Sequence, residues 1–455
     1  SNSADNLGIG FHEISEEFQD TYDEDFNARV DLKTALSQNA ILKFGGRLRT
    51  KNKLRQNSYF SYEPIDENAF GATLGSVPLR DYTNPDYLAG SQYRVGRFAT
   101  PEFLGGLDLK NGSIFDETDE LGEYIPGNYS ADENIYAGYA MADVQFNEKF
   151  SGILGLRYEG TSIDYSGFIL DVDNDQISEA SDSQNYGNFL PGVHLNYNFS
   201  DNSILRFAWT NTLARPNYFD LVPYAEFSPD DEELVRGNPE LEATTAMNFD
   251  LMFESYFDNV GIVSGGAFYK DLDNFIYERV IEGFSDPAFG NDLEFTTFEN
   301  GGTAEIYGLE VSLQRQIWKG LGIYLNYTHT QSSTSGIQGR EDDDLELPGT
   351  ANNMFNASLS YETDKLVVRA SLNYASDYID ELGGDAFEDR FYDEQTFLDV
   401  NGSYAFTPQW RFFFEVNNLT NQPLRYYQGV KERTMQMEYY NVRFNAGLKF
   451  DLFKQ

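Results

Sequence analysis

Long runs of strict two-residue alternation constrain this chain more than any other feature. Near its end Phe444, Ala446, Leu448, Phe450 and Leu452 share one parity, and Arg443, Asn445, Gly447, Lys449 and Asp451 share the other. The same dyad places Trp410, Phe412, Phe414 and Val416 against Arg411, Glu415 and Asn417. It recurs in Leu366, Val368, Ala370, Leu372 and Tyr374 against Lys365, Arg369, Ser371 and Asn373. A period of two puts one set on each face of an extended strand. Soluble sandwiches alternate too, but these runs extend over roughly 10 to 20 residues. That exceeds the mode of about 5–6 for globular strands and suits a tilted membrane crossing of about 9–11.

About 15 such strands are expected, with boundaries good to a few residues. They lie near 25–36, 40–62, 134–146, 151–166, 187–199, 203–214, 241–256, 260–277, 303–316, 320–333, 351–362, 365–380, 395–405, 409–426 and 434–453. Their connections alternate in length. Short ones such as Ser37-Gln38-Asn39, Ser200-Asp201-Asn202 and Thr407-Pro408 are interleaved with long ones at 63–133, 167–186, 215–240, 278–302, 334–350, 381–394 and 427–433. Outer-membrane barrels have short periplasmic turns and longer extracellular loops, whereas a sandwich has no reason to sort loop length by parity. The fold class is therefore all-β, a transmembrane antiparallel β-barrel. The dyad also predicts that Phe412, Phe414, Leu448 and Phe450 face lipid, and that Arg411, Glu415, Lys449 and Asp451 face the lumen.

Composition narrows the function. Among 455 residues, 74 acids oppose 32 bases for a net charge of −42, with 31 Tyr, 37 Phe, no Cys and 3 His. A polyanion would be repelled at almost every face, so no nucleic-acid partner is expected. The absence of Cys excludes disulfides, thiol nucleophiles and cysteine metal sites. His12, His194 and His329 leave little for a catalytic imidazole, and no phosphate loop, nucleophile elbow or His pair appears. An enzyme is not expected. Asp171-x-Asp173-x-Asp175 begins like a calcium loop, although Gln176 stands where its sharp-turn glycine belongs. These three carboxylates could hold a weak extracellular Ca²⁺; no other cofactor is expected. Loop 63–133 carries Tyr82, Tyr87, Tyr93, Phe98 and Tyr124, aromatic faces that suit sugar rings or simple loop packing.

Several segments resemble the barrel domain of TonB-dependent outer-membrane receptors. The most specific is Thr212-Leu213-Ala214-Arg215-Pro216-Asn217-Tyr218-Phe219-Asp220, followed by Gly237-Asn238-Pro239-Glu240-Leu241. Asn300-Gly301-Gly302-Thr303-Ala304 and Asn417-Asn418-Leu419-Thr420-Asn421-Gln422-Pro423-Leu424 are two more. Pro216 cannot donate to a ladder and ends a strand, Asn238-Pro239 opens a turn, and Gly301-Gly302 permits a bend. Arg215, Pro216, Asn238, Pro239, Gly301 and Gly302 are thus expected to build the rim rather than to touch ligand.

The resemblance implies an active importer in the outer membrane of a Gram-negative bacterium. A plug and the energy-transducing TonB protein would drive it, and an oligosaccharide-type glycan is favoured over a siderophore or other chelate as cargo. A passive porin and a structural or secretion-complex barrel are the alternatives. Lipid and lipopolysaccharide, and a surface lipoprotein, are the further partners implied. Barrels of this family close with about 22 strands around a plugged lumen. On that count residues 25–455 would be the C-terminal two-thirds of a barrel, residues 1–24 an extracellular loop remnant, and the plug and about seven strands would lie outside this chain.

Overall fold

The computed structural model describes residues 10–66, 73–82, 96–171, 176–228, 232–257 and 261–452. Fifteen long strands form the wall: Ile14–Ser37 (β1), Ala40–Pro64 (β2), Tyr129–Gln145 (β3), Phe150–Asp171 (β4), Gln176–Ser200 (β5), Ser203–Ala214 (β6), Thr244–Phe257 (β7), Gly261–Asp273 (β8), Thr303–Trp318 (β9), Leu321–Thr334 (β10), Asn353–Glu362 (β11), Leu366–Ala375 (β12), Gln395–Ala405 (β13), Trp410–Asn417 (β14) and Arg443–Phe450 (β15). Each pairs antiparallel with its neighbour in this order. Among the described residues β1 pairs with β2 and β15 with β14, so these fifteen strands leave two edges.

Register keeps the two parities apart across the whole sheet. Leu154, Val193, Trp209, Phe249, Tyr269 and Tyr307 form one continuous row over six strands. On β13–β15, Tyr404 opposes Phe412, which opposes Leu448, while Arg411 opposes Lys449 and Glu415 opposes Asn445. The apolar parity is the solvent-open one: Leu309 is 58% and Phe444 64% exposed. Such exposure is tolerable where the outer surface meets lipid. Along β9, Tyr307 and Trp318 mark two aromatic levels about 25–30 Å apart for a strand tilted roughly 40°. At the turn end Phe146 stacks on Phe150, Tyr197 meets Phe199 edge to face and Trp410 meets Phe450 at a tilt, with centroids 4.8–4.9 Å apart. The opposite parity carries cross-strand ion pairs, Lys43–Asp143 at 3.0 Å, Arg49–Asp25 at 2.6 Å and Arg206–Glu254 at 3.1 Å.

Several boundaries differ from those the sequence suggests, each for an identifiable reason. β1 begins at Ile14, so residues 14–24 are strand rather than loop. This stretch is too acidic to show an apolar dyad, and pairs such as Asp23–Lys51 at 2.9 Å help to hold it. The expected loop 167–186 is mostly ladder, with Asp171 paired to Gln176. The loop 278–302 is a hairpin, Ile276–Asp286 with Gly290–Asn300. The expected strands 260–277, 409–426 and 434–453 each break at asparagines with positive φ: Asn274 (58°), Asn418 (57°) with Asn421 (50°), and Asn441 (60°). Asparagine tolerates this left-handed turn better than most residues. The pieces beyond these breaks, with the end of the expected 365–380 strand, form rim structure. Tyr378–Glu381, Arg390–Tyr392, Leu424–Gln428 and Thr434–Glu438 pair as a separate four-stranded sheet above β12–β15.

Candidate functional site at the loop end of the barrel

The segment after β6 turns inward. Pro216 follows the strand end, and residues 215–224 lie along the inner face of β3 and β4. Arg215 donates to Glu159 (2.8 Å) and Thr161 (2.9 Å) and stands 3.7 Å from Glu133. Tyr218 Oη donates to the same Glu133 at 3.1 Å. These acceptors are on the lumen parity, so the arginine fastens the segment to the wall from inside. Above it Leu221, Val222, Tyr224 and Leu241 bury themselves against Tyr129, Ala131, Ile163 and Tyr165. Tyr165 Oη donates to the Pro239 carbonyl at 2.9 Å, and Gln184 donates to the same oxygen. Asn238 donates to the Phe298 carbonyl at 2.8 Å, joining the segment to the hairpin 276–300. Below the segment a lumen-side recess of about 510 Å³ is lined by Arg157, Glu159, Leu190, Thr210, Thr212 and Arg215.

The second motif joins three loops. Gly301 N–H donates to Phe275 O at 2.6 Å and Gly302 N–H to Ser335 O at 3.0 Å. A Cβ added at Gly302 would sit 2.7 Å from the Ser335 oxygen, and one at Gly301 would overlap the Phe275 ring. Phe275 belongs to a second buried cluster with Tyr277, Ala304, Ile337, Leu345, Ile379 and Leu382. In the third motif Asn418 N–H donates to Asp399 at 2.8 Å, and Thr420 Oγ1 to the Thr396 carbonyl at 2.7 Å. That fixes the departure of the chain from β14 into the rim sheet.

One feature of the rim leaves no trace in sequence pattern. Arg340 and Asp389, both buried, form a two-point pair at 2.8 and 3.0 Å. Arg340 also donates to the Gly383 carbonyl at 2.8 Å, and Asp389 accepts from Gly383 N–H at 3.0 Å. The pair locks loops 335–352 and 376–394 together, although 49 residues separate its partners.

The opening framed by these loops is acidic. Burial pushes Asp220 up to about 6. Glu226, Glu278 and Glu294 are also raised, first by burial and then by one another's neighbours, Glu233 among them. Arg236, Arg279 and Arg390 at this level are each paired with a carboxylate at 2.6–2.8 Å. Such an opening attracts cations and repels polyanions.

Of the expected aromatic set, Tyr82 and Phe98 meet edge to face at 6.4 Å on a small hairpin. Tyr124 ends a short helix, Leu121–Tyr124, beside Asp119. Tyr87 and Tyr93 lie outside the described residues, as do Asp173 and Asp175, and only the backbone of Asp171 is described.

The model for TonB dependent receptor-like β-barrels matches residues 2–419. The chain belongs to that family. It is accordingly a protein of the Gram-negative outer membrane, and the family is one of receptors and transporters rather than an enzyme class. A curated relative, the iron-regulated outer membrane virulence protein of Vibrio cholerae, is 29% identical over 255 residues, covering 53% of this chain and 37% of that protein. The chain thus matches well under half the length of that relative. The copper transporter OprC superposes with a TM-score of 0.61 at 12% identity, covering 95% of this chain and 57% of that one. The ferric yersiniabactin uptake receptor FyuA from Yersinia pestis gives 0.57 at 12% identity, covering 97% and 56%. In a TonB-dependent receptor barrel the short turns face the periplasm and the long loops, with their locked rim, face the exterior.

Proposed function

We propose that this chain forms the wall and outer rim of an active importer that takes up a compact metal chelate, energised through a plug and TonB. The observation that carries the reading is the inward-folded segment 215–224, fastened to the lumen wall by Arg215. It narrows the outer lumen, which suits a gated importer and opposes an open porin. A chelate is favoured over a glycan because the relative at 29% identity is named for iron regulation. Lipid and lipopolysaccharide around the aromatic levels, and a surface lipoprotein at the rim, would be its neighbours.

Radio-iron uptake tests this in iron-limited cells that depend on the full-length gene. Accumulation of a ferric chelate should stop when a protonophore is added or tonB is deleted. Uptake indifferent to both would establish a passive pore. Failure with every ferric chelate, alongside gene-dependent growth on an oligosaccharide, would restore the glycan reading.

A further inference from the structure

We propose that the inner wall is split by chemistry into two sectors: a basic stripe on β1 and β2 holds an acidic face of the plug, and the uncharged sector β9–β12 is the side along which cargo passes. This rests on the importer reading above. Between Ala40 and Tyr62, β2 carries Lys43, Arg47, Arg49, Lys51, Lys53 and Arg55 and no acid, in a chain of 74 acids and 32 bases. All six are odd-numbered and share the lumen face. Aspartates cover part of the stripe, Asp143, Asp25 and Asp23 pairing with Lys43, Arg49 and Lys51. The stretch at membrane level stays under-compensated. There Arg29 lies directly opposite Arg47 and Lys33 opposite Lys43, and like charges so placed repel. Arg47 donates to the Asn27 amide oxygen at 3.0 Å, and among the described residues neither it nor Lys33 meets a carboxylate. Such a surface calls for carboxylates from outside the wall, and ion pairs in a crevice that excludes water part only at high cost.

Farther round the wall the character is opposite. Ser312, Asn326, Asn356 and Asn373 form one lumen row over β9–β12, and Gln314, Tyr324, Ser358 and Ser371 form the next. None of these eight carries a charge. Several of their polar groups satisfy one another: Asn356 donates to Asn326 at 2.7 Å, Asn326 to Tyr324 Oη at 3.0 Å, and Ser358 and Ser371 share a hydrogen bond of 2.8 Å. At the turn end this sector opens into a recess of about 690 Å³ bordered by Gln314, Tyr324, Ser358 and Ser360, where Arg369 faces Glu362 at 3.7 Å. A wall that is neutral and largely self-satisfied parts from the plug at little cost. It offers a passing solute weak, exchangeable hydrogen bonds and no charge to trap it, as a conducting surface must.

The test is cysteine labelling of the full-length receptor in iron-limited cells; this chain contributes no cysteine of its own. Ser358→Cys and Ser371→Cys report on the uncharged sector. Asn27→Cys and Ala137→Cys report on the basic one, where Ala137 lies opposite Arg47. Each variant meets a small neutral maleimide during uptake of a radio-labelled ferric chelate, with and without protonophore. Uptake itself shows that the variant is folded, and one that fails to transport is replaced in the comparison by its partner in the same sector. Energised transport should speed labelling in the uncharged sector severalfold and leave the basic sector unchanged. Equal acceleration in both sectors, acceleration in the basic one alone, or no acceleration in either would each overturn the assignment while leaving the importer reading intact. Wild-type cells that take up no ferric chelate would overturn the chelate reading and this inference with it.

Discussion

In the membrane wall the apolar side chains point outward and the charged ones meet on the inner surface, whereas above the membrane that polarity is reversed. Val311 in the middle of β9 is 52% exposed, yet Val222 in the rim is fully buried. The wall is held by backbone ladders that run unbroken from β1 to β15, with lipid as the apolar phase. The rim stands in water on both sides and must build its own small cores. It does so from Leu221, Val222 and Tyr224 in one cluster and Phe275, Ile337 and Ile379 in another. The wall can therefore lose many single side chains without losing its topology, while the rim depends on a few knots that join segments distant in sequence.

The largest effect that would sharpen this contrast comes from the Arg340–Asp389 pair. Removing one partner of a buried pair leaves the other charge uncompensated, at a cost of about 3–5 kcal/mol. Arg340→Ala should free loops 335–352 and 376–394 while β9–β13 stay paired. Limited proteolysis should then cut those loops readily, with the heat-dependent gel mobility of the barrel unchanged. Loss of that mobility shift would show that rim and wall fold as one unit.

Next in size is a change that only the wall should feel. Val311→Arg places a charge on the lipid face near mid-membrane, for about 2–4 kcal/mol. Ser312→Arg, one residue on, points into the lumen and should cost far less. Equal losses of urea resistance in the two variants would break the assignment of faces.

The contrast also explains what could be read from sequence. A wall strand carries its environment in its parity, so all fifteen wall strands and the orientation of Phe412 against Arg411 were legible from one chain. Where side chains stop alternating, as in residues 14–24, the ladder continues on cross-strand charge pairs that a single segment does not reveal. The rim obeys neither rule. The hairpin 276–300 looks like loop because its bulges at Phe284 disturb the period. The rim sheet is built on strands of three to five residues, too short for any periodicity to register. The motifs around Arg215, Asn238 and Gly301 were visible as motifs. That Arg215 fastens its segment inward could not be seen, because Glu133 and Glu159 belong to other strands and only register brings them to one face.

The smallest expected effect concerns pH, and again it separates the two regions. Asp220 sits in the inward segment, where burial pushes its carboxyl up to about 6, against about 3.9 for an unfolded chain. The folded segment therefore holds its proton more tightly than the unfolded one. Its stability is greatest below about pH 4, falls as pH rises toward 6, and levels off once the folded carboxyl has ionised. Asp220→Asn removes the ionisation and leaves the main-chain bond from Asn238 N–H to the Asp220 carbonyl, 2.7 Å long, untouched. At pH 7 the variant segment should be steadier than the wild type. Its amide exchange, corrected for intrinsic rate, should show a weaker dependence between pH 4 and 7 than the wild type. The β4 and β9 ladders should respond identically in both proteins. An unchanged slope in residues 215–224 would mean that a different carboxylate of the acidic opening governs the segment, and a slope transmitted to the ladders would mean that the rim is not energetically separate from the wall.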